Sequence, residues 1–247
     1  IKFGQDSDNP KIEIFRSTGN ASNTHYGAEL QLLTGDFTFS NAPGADLGSH
    51  SYTERVRISS AGLVGINTNT PTALLSFGVQ RSTQTYPPIC FQAAYGTGLA
   101  DAAISTTDDS GGVDIMMGSN VYMGQNGTFT RYFSSYGSAA VRCQYTGKTR
   151  FYNKRGNNAP VERMQIDGSG KLLVGSTSVR SVAGVSAQLQ VEGTDFNTAS
   201  ATFISNAGAS AGNQSHITLA KSRGSSDGSS TVLADGDSIG LIQWVGA

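Results

Sequence analysis

The sequence predicts an all-β protein built of modules in series, and three observations carry that prediction. A hairpin pattern is written twice: Glu54-Arg55-Val56-Arg57-Ile58-Ser59-Ser60-Ala61-Gly62-Leu63-Val64-Gly65-Ile66-Asn67 returns as Glu162-Arg163-Met164-Gln165-Ile166-Asp167-Gly168-Ser169-Gly170-Lys171-Leu172-Leu173-Val174-Gly175. In both copies apolar and polar residues alternate, a four-residue connection ends in glycine, and alternation resumes, which is the grammar of a β-hairpin. Asp outnumbers Glu, and Gly, Ser, Thr and Asn fill the positions between apolar residues, a composition that disfavours helix. No heptad or basic helical periodicity appears anywhere.

In chain order, residues 1–53 read as short strands (Lys11 to Phe15, Glu29 to Leu33, Phe37 to Phe39) broken by clusters such as Asn41-Ala42-Pro43-Gly44. The first hairpin closes this module. Asn67-Thr68-Asn69-Thr70-Pro71 then serves as a connector, since proline holds the residue before it extended. About half of the aromatic residues fall between Tyr86 and Tyr152. The second hairpin ends that stretch, and Ser176 to Gly184 forms a connector six residues longer than the first. Each hairpin leads into a matching piece, Ala73 to Phe77 and Ala187 to Val191. The expected modules are therefore 1–70, 71–176 and a third, 177–247, that stops in mid-strand pattern. With Ile1 in first place, the chain reads as a piece of something longer.

Leu, Ile, Val and Phe make up about a fifth of the chain, near the level at which disorder sets in, but a net charge of −1 argues against disorder. Burial yields about 1.5–3 kcal/mol per large apolar side chain, against about 1–2 kcal/mol of backbone entropy per residue. The apolar side is thin for a free monomer, so burial between subunits is expected. The near-zero charge argues against a nucleic-acid partner, and Arg142, Lys148, Arg150, Lys154 and Arg155 read as a solvated strand edge. No apolar run approaches the roughly eighteen residues of a membrane span, and the chain shows no charged-then-apolar leader, which predicts a soluble protein.

Little in the sequence points to catalysis. Gly208-Ala209-Ser210-Ala211-Gly212 and Gly224-Ser225-Ser226-Asp227-Gly228 match a nucleophile elbow, but each lies in a Gly/Ser loop with no helix to follow. Gly147-Lys148-Thr149 lacks the upstream glycine of a phosphate loop and reads as a turn. The carboxylate groups at Asp6 and Asp8, at Asp108, Asp109 and Asp114, and at Asp235 and Asp237 have no calcium-loop spacing; Asx-turns account for most of them. His25, His50 and His216 are scattered, and Cys90 and Cys143 read as two reduced thiols that bridge only if they meet in space. No metal or other cofactor is implied. The binding candidates are Tyr95, Tyr122, Tyr132, Phe133, Tyr136 and Tyr145, because clustered tyrosines suit recognition surfaces, including those for sugar rings. The competing reading makes the same residues the core of a β-module poor in aliphatics.

At the doubled hairpin the sequence resembles tail-fibre and tailspike-like proteins of tailed bacteriophages, whose units close on an E-R-M-R-I, glycine turn, V-G-I-G-T, proline pattern. Glu54 to Pro71 fits with Asn67 where glycine is frequent, and Glu162 to Thr177 fits with Leu173-Val174-Gly175 in place of G-I-G. Leu219-Ala220-Lys221-Ser222-Arg223-Gly224 and Asp235-Gly236-Asp237-Ser238-Ile239-Gly240 resemble further segments of the same proteins. The resemblance covers about a third of the chain and leaves out Gln80 to Asn158. It implies an elongated homotrimeric fibre of β-hairpin, β-prism-like or β-sandwich-like units on the virion. Its partners would be other virion tail proteins and a host cell-surface glycan or protein receptor. In that setting Val56 and Ile58 would face a shared core while Arg55 and Arg57 face outward. A tailspike depolymerase cleaving host polysaccharide and a bacterial surface adhesin are the alternatives.

Overall fold

A computed structural model of the chain describes residues 2–6, 9–17, 25–45, 50–78, 87–92, 101–109, 111–124, 127–156, 158–206 and 214–246. The fold is all-β, and its sheets are open, none closing into a barrel. The chain divides into two units, residues 1–136 and 137–247.

The first unit opens with a seven-stranded sheet in sequential order: β1 (Lys2–Asp6), β2 (Asn9–Ser17), β3 (His25–Leu33), β4 (Asp36–Ala45), β5 (Thr53–Ile58), β6 (Val64–Ile66) and β7 (Leu75–Phe77). All neighbours are antiparallel except β7, which pairs with β6 in parallel. Strand β4 runs through Asn41-Ala42-Pro43-Gly44, where the composition predicted a break. Its pairing with β5 ends at Asn41, and its pairing with β3 is irregular between His25 and Gly27, so Pro43 sits where a missing N–H costs no ladder bond.

The unit continues with β8 (Ile89–Phe91), β9 (Ala102–Asp109) and β10 (Gly112–Ser119), antiparallel in that order, and with the short pair β11 (Tyr122–Met123) and β12 (Phe129–Thr130). Strand β11 packs on β9, and the Met123 amide donates to Ser105 Oγ at 2.9 Å. The second unit holds β13 (Ser138–Cys143), β14 (Thr149–Lys154), β15 (Val161–Ile166), β16 (Leu172–Val174) and β17 (Leu189–Val191), again with the last pair parallel.

The duplicated hairpin is part of a larger duplication. Strands β3–β7 and β13–β17 share strand order, and β4–β7 and β14–β17 also share register and the site of their irregularity. In the hairpins Val56 faces Ile66 and Ile58 faces Val64; Met164 faces Val174 and Ile166 faces Leu172. One residue is extra between Phe39/Ser40 and their partners, and one between Phe151/Tyr152 and theirs, which makes Arg55 and Arg163 equivalent bulge residues. Each bulged arginine donates Nε to an asparagine of the preceding strand: Arg55 to Asn41 Oδ1 at 2.7 Å, Arg163 to Asn153 Oδ1 at 3.1 Å.

The turns repeat as well. The Ser59 amide donates to the Leu63 carbonyl at 2.9 Å and the Asp167 amide to Lys171 at 2.9 Å, with Gly62 and Gly170 at φ +79° and +81°. The β13–β14 turn has the same form: the Gln144 amide donates to Lys148 O at 2.8 Å and Gly147 has φ +83°, so Gly147-Lys148-Thr149 is a turn running into a strand. After each hairpin the chain leaves through a left-handed residue, Asn67 (φ +58°) or Gly175 (φ +79°), whose amide donates to Arg55 O at 2.7 Å or Arg163 O at 2.9 Å. This conformation favours glycine, and Asn is the other residue that tolerates it.

Gly62 has open space around it, whereas a Cβ on Gly175 would collide with the Glu192 carbonyl oxygen. Gly62→Ala should therefore cost about 1–2 kcal/mol, the strain of the left-handed conformation alone. Gly175→Ala should cost more than about 3 kcal/mol as clash and strain combine. Denaturant titrations of the two variants at one protein concentration will give the difference.

Candidate interaction surfaces

The register sorts the side chains of each sheet onto two unlike faces. In the first unit one row crosses all seven strands: Phe3, Ile12, Leu30, Phe39, Val56, Ile66, Phe77. A second row on the same face is Leu32, Phe37, Ile58, Val64, Leu75. The row between them, Gly4, Lys11, Gln31, Thr38, Arg57, Gly65, Ser76, points to the opposite face. The second unit repeats this with Val141, Phe151, Met164, Val174, Val191 on one face and Arg142, Arg150, Gln165, Leu173, Gln190 on the other.

Among the described residues, segments of the chain cover the polar face, and much of the apolar one stays exposed. Over the first sheet the crossover 67–74 lies on Gly65, where a Cβ would meet Thr68 O at 2.5 Å, and Tyr52 lies on Gly27, where a Cβ would meet its hydroxyl at 2.8 Å. Beneath them Lys11 Nζ stands 3.3 Å from Glu13 and 3.4 Å from Glu29; burial, and then those two carboxylates, push the Tyr52 phenol up. In the second unit the longer crossover 175–188 buries Leu173 and Gln165, whose Nε2 donates to Thr177 O at 2.7 Å.

On the apolar face Leu32, Phe37, Phe39, Ile58, Ile66, Leu75 and Phe3 are exposed, from 38% at Leu32 to 77% at Phe3, while Ile12, Leu30, Val56, Val64 and Phe77 are half-buried. A shallow groove of about 320 Å³ there is lined by Phe3, Pro10, Ile12, Leu30, Leu32 and Phe37. Ile166, Leu189 and Val191 are likewise exposed in the second unit. Sheet β8–β10 follows the same rule: Ala103, Ser105, Thr107, Asp114 and Met116 are buried, and Phe91, Val113, Ile115 and Met117 are exposed. Fully burying one such side chain is worth about 1.5–3 kcal/mol, so a handful per sheet rivals the about 5–15 kcal/mol that holds a whole domain folded. Continuous apolar surface of this kind marks an interaction site.

Arg57 corrects the expectation that it faces outward. Its guanidinium lies on the covered face, its side chain only 12% exposed, with Nε 2.8 Å from Glu54 Oε1 and Nη1 on Asp36 Oδ2. The hydrogen bond to Glu54, with that to Asp36, raises its pKa further above an already high value. The Ser60 amide at 2.7 Å, followed by Arg57, holds the Asp36 carboxyl below the ordinary range. Arg55 is exposed, as expected. The basic cluster departs from a solvated edge too: Arg150 is on β14, an interior strand of its sheet, with Nη1 3.4 Å from Glu162 Oε2.

The aromatic candidates separate. Tyr122 is buried against Tyr132, ring centroids 5.0 Å apart, and Phe133 stacks on Tyr136 at 5.1 Å. Asn120 ties this cluster together, its side chain donating to Phe133 O at 2.8 Å and accepting from the Phe133 amide at 2.8 Å. Burial, and then the Cys90 thiol 3.3 Å away, push the Tyr132 phenol well up. Tyr136 and Tyr145 are exposed, Tyr145 on the β13–β14 turn of the second unit, and Tyr95 lies outside the described residues. Both cysteines are free. Among the described residues no three His, Cys, Asp or Glu side chains gather as a metal site requires. Asp108 and Asp109 stand in β9, facing Val113 and Gly112. The Gly224–Gly228 match is a loop, and the match at 208–212 lies outside the described residues. No protein-family model matches the chain, and no curated protein matches it.

Arg57→Ala leaves Glu54 and Asp36 without their shared partner and should lower the melting temperature more than Arg55→Ala does. The folded-state pKa of Asp36 lies below its unfolded value, so its contribution is complete above the ordinary aspartate range, near about 3.9. It disappears as pH falls through the folded value. Melting curves taken from pH 7 down to about pH 2.5 should therefore fall less steeply for Arg57→Ala than for the parent chain.

Proposed function

We propose that this chain is a structural and receptor-binding segment of a bacteriophage tail fibre, a homotrimer that adheres to a bacterial surface glycan or protein without catalysis. The observation that carries the proposal is the open apolar face on each of the two repeated five-strand units. A chain that covers its charged sheet faces with its own loops, and leaves Phe37, Phe39, Ile58 and Ile166 bare, fits a protein whose core is completed by copies of itself. The phage setting rests on the resemblance at Glu54 to Pro71 and Glu162 to Thr177, whose shared register, bulge and left-handed exit make the two segments structural equivalents. Recognition falls to Tyr136 and Tyr145, the candidates whose rings are exposed. Tyr122, Tyr132 and Phe133 serve the packing of their module.

Light scattering or mass photometry should give three chains per particle, persisting on dilution. Ile166→Asp should disassemble it, since a carboxylate would then be buried in each copy. Arg163→Ala, at an exposed bulge, should change stability by no more than about 1 kcal/mol. A folded monomer that stays in solution at all concentrations would end this reading.

A further inference from the structure

We propose that residues 214–246 form their β-ladders only between copies of this chain, so that the segment is a β-module shared among subunits. The inference rests on the homo-oligomeric reading above and assigns one part of the assembly.

Two runs in this segment are written as strands. His216-Ile217-Thr218-Leu219-Ala220 alternates around Ile217 and Leu219, and Ile239-Gly240-Leu241-Ile242-Gln243-Trp244-Val245 is rich in β-formers. Both are straight, without turn or bend, yet neither belongs to a ladder. Among the described residues from 214 to 246, backbone-to-backbone bonds occur only from Arg223 N to Thr231 O (3.4 Å), Ser229 N to Ser226 O (3.1 Å) and Asp237 N to Ala234 O (3.2 Å). All three belong to the connection between the runs. No proline interrupts either run, so almost every residue brings a donor and an acceptor that no other described backbone group pairs.

The runs meet through side chains, not edges. Leu219 lies against the backbone of Gly240, where a Cβ would come within 2.8 Å of the Leu219 Cβ. Lys221 Nζ and Arg223 Nε reach Asp237 at 3.2 Å and 2.7 Å, and the Ala234 amide donates to the same carboxylate at 2.9 Å. Face-to-face contact leaves the hydrogen-bonding edges of both runs open. It also leaves Ile217, Leu241, Ile242 and Trp244 exposed, the last at 87%.

Charge selects the occupant. Pairing of identical copies in register sets each residue beside its own image, so a charge within a run would repel itself. Residues 214–220 and 238–246 contain no Lys, Arg, Asp or Glu. The nearest charges, Lys221, Arg223 and Asp237, lie just outside the runs and pair with one another within the chain. The runs also continue the stretch after β17, whose Leu189 and Val191 belong to the open apolar face of the second unit.

Amide hydrogen exchange on the purified, assembled chain tests this, because only copies of the chain are then present. Amides in 216–220 and 239–245 should exchange about a hundredfold more slowly than free peptide. Leu241→Lys should abolish that protection, although Leu241 is 78% exposed in the single chain and the change would there be harmless; Val232→Lys, in the connection, should leave it intact. A trimer whose two runs exchange at close to the free rate would overturn this inference and leave the fibre reading standing. Protection that survives Leu241→Lys would place the ladder within one chain and overturn it as well. A monomeric parent chain would remove both readings.

Discussion

Each five-strand unit ends in a parallel crossover, and the crossover decides which side of the sheet the chain can cover. A parallel pair needs its connection to travel back over one face. Here 67–74 and 175–188 make that journey on the side of Gly65 and Leu173. The left-handed exits at Asn67 and Gly175 aim the chain to that side. On the opposite face, where the apolar rows lie, Phe37, Phe39, Ile58 and Ile166 stay exposed. The division into a self-covered face and an open one follows from this backbone route.

The two units solve the covered face differently under one geometry. In the first, Gly65 lets the crossover come close through Thr68 O, and its partner Arg57 turns its guanidinium to Glu54 and Asp36. In the second, Leu173 stands at the position of Gly65 and Gln165 donates its Nε2 to Thr177 O, a partner supplied by the longer crossover. Charge pairing in one copy and apolar packing in the other thus occupy equivalent positions. Tolerance of this kind fits a constraint that lies in the backbone, where the bulges at Arg55 and Arg163 and the glycine turns are kept while side chains vary.

Much of the fold was legible in the residues. Alternation located both hairpins, and the six-residue difference between connectors is the difference between the two crossovers. The strands before the hairpins were harder. Phe39-Ser40-Asn41 and Phe151-Tyr152-Asn153 carry a shared F-x-N signal, but it stands at unequal distances from the glutamate-arginine pair, and Pro43 disguised β4 as a loop. Aromatic clustering marked residues that belong together, while composition could not separate packing from display. Tyr122 is enclosed because Asn120 folds the Phe133 segment back beside it, a contact between positions far apart along the chain.

The sequence by itself determined the all-β class, the hairpin turns and the alternation that gives each sheet one apolar and one polar face, because these depend on local φ preference and a period of two. Only the tertiary structure decided which face is covered. Alternation is symmetric between the two sides of a sheet, and the symmetry is broken by where the crossovers run and where Tyr52 lies, both set by distant contacts. Hence Arg57, expected to face outward, is enclosed, while Ile58, expected in a core shared between copies, stands open on the surface of the single chain.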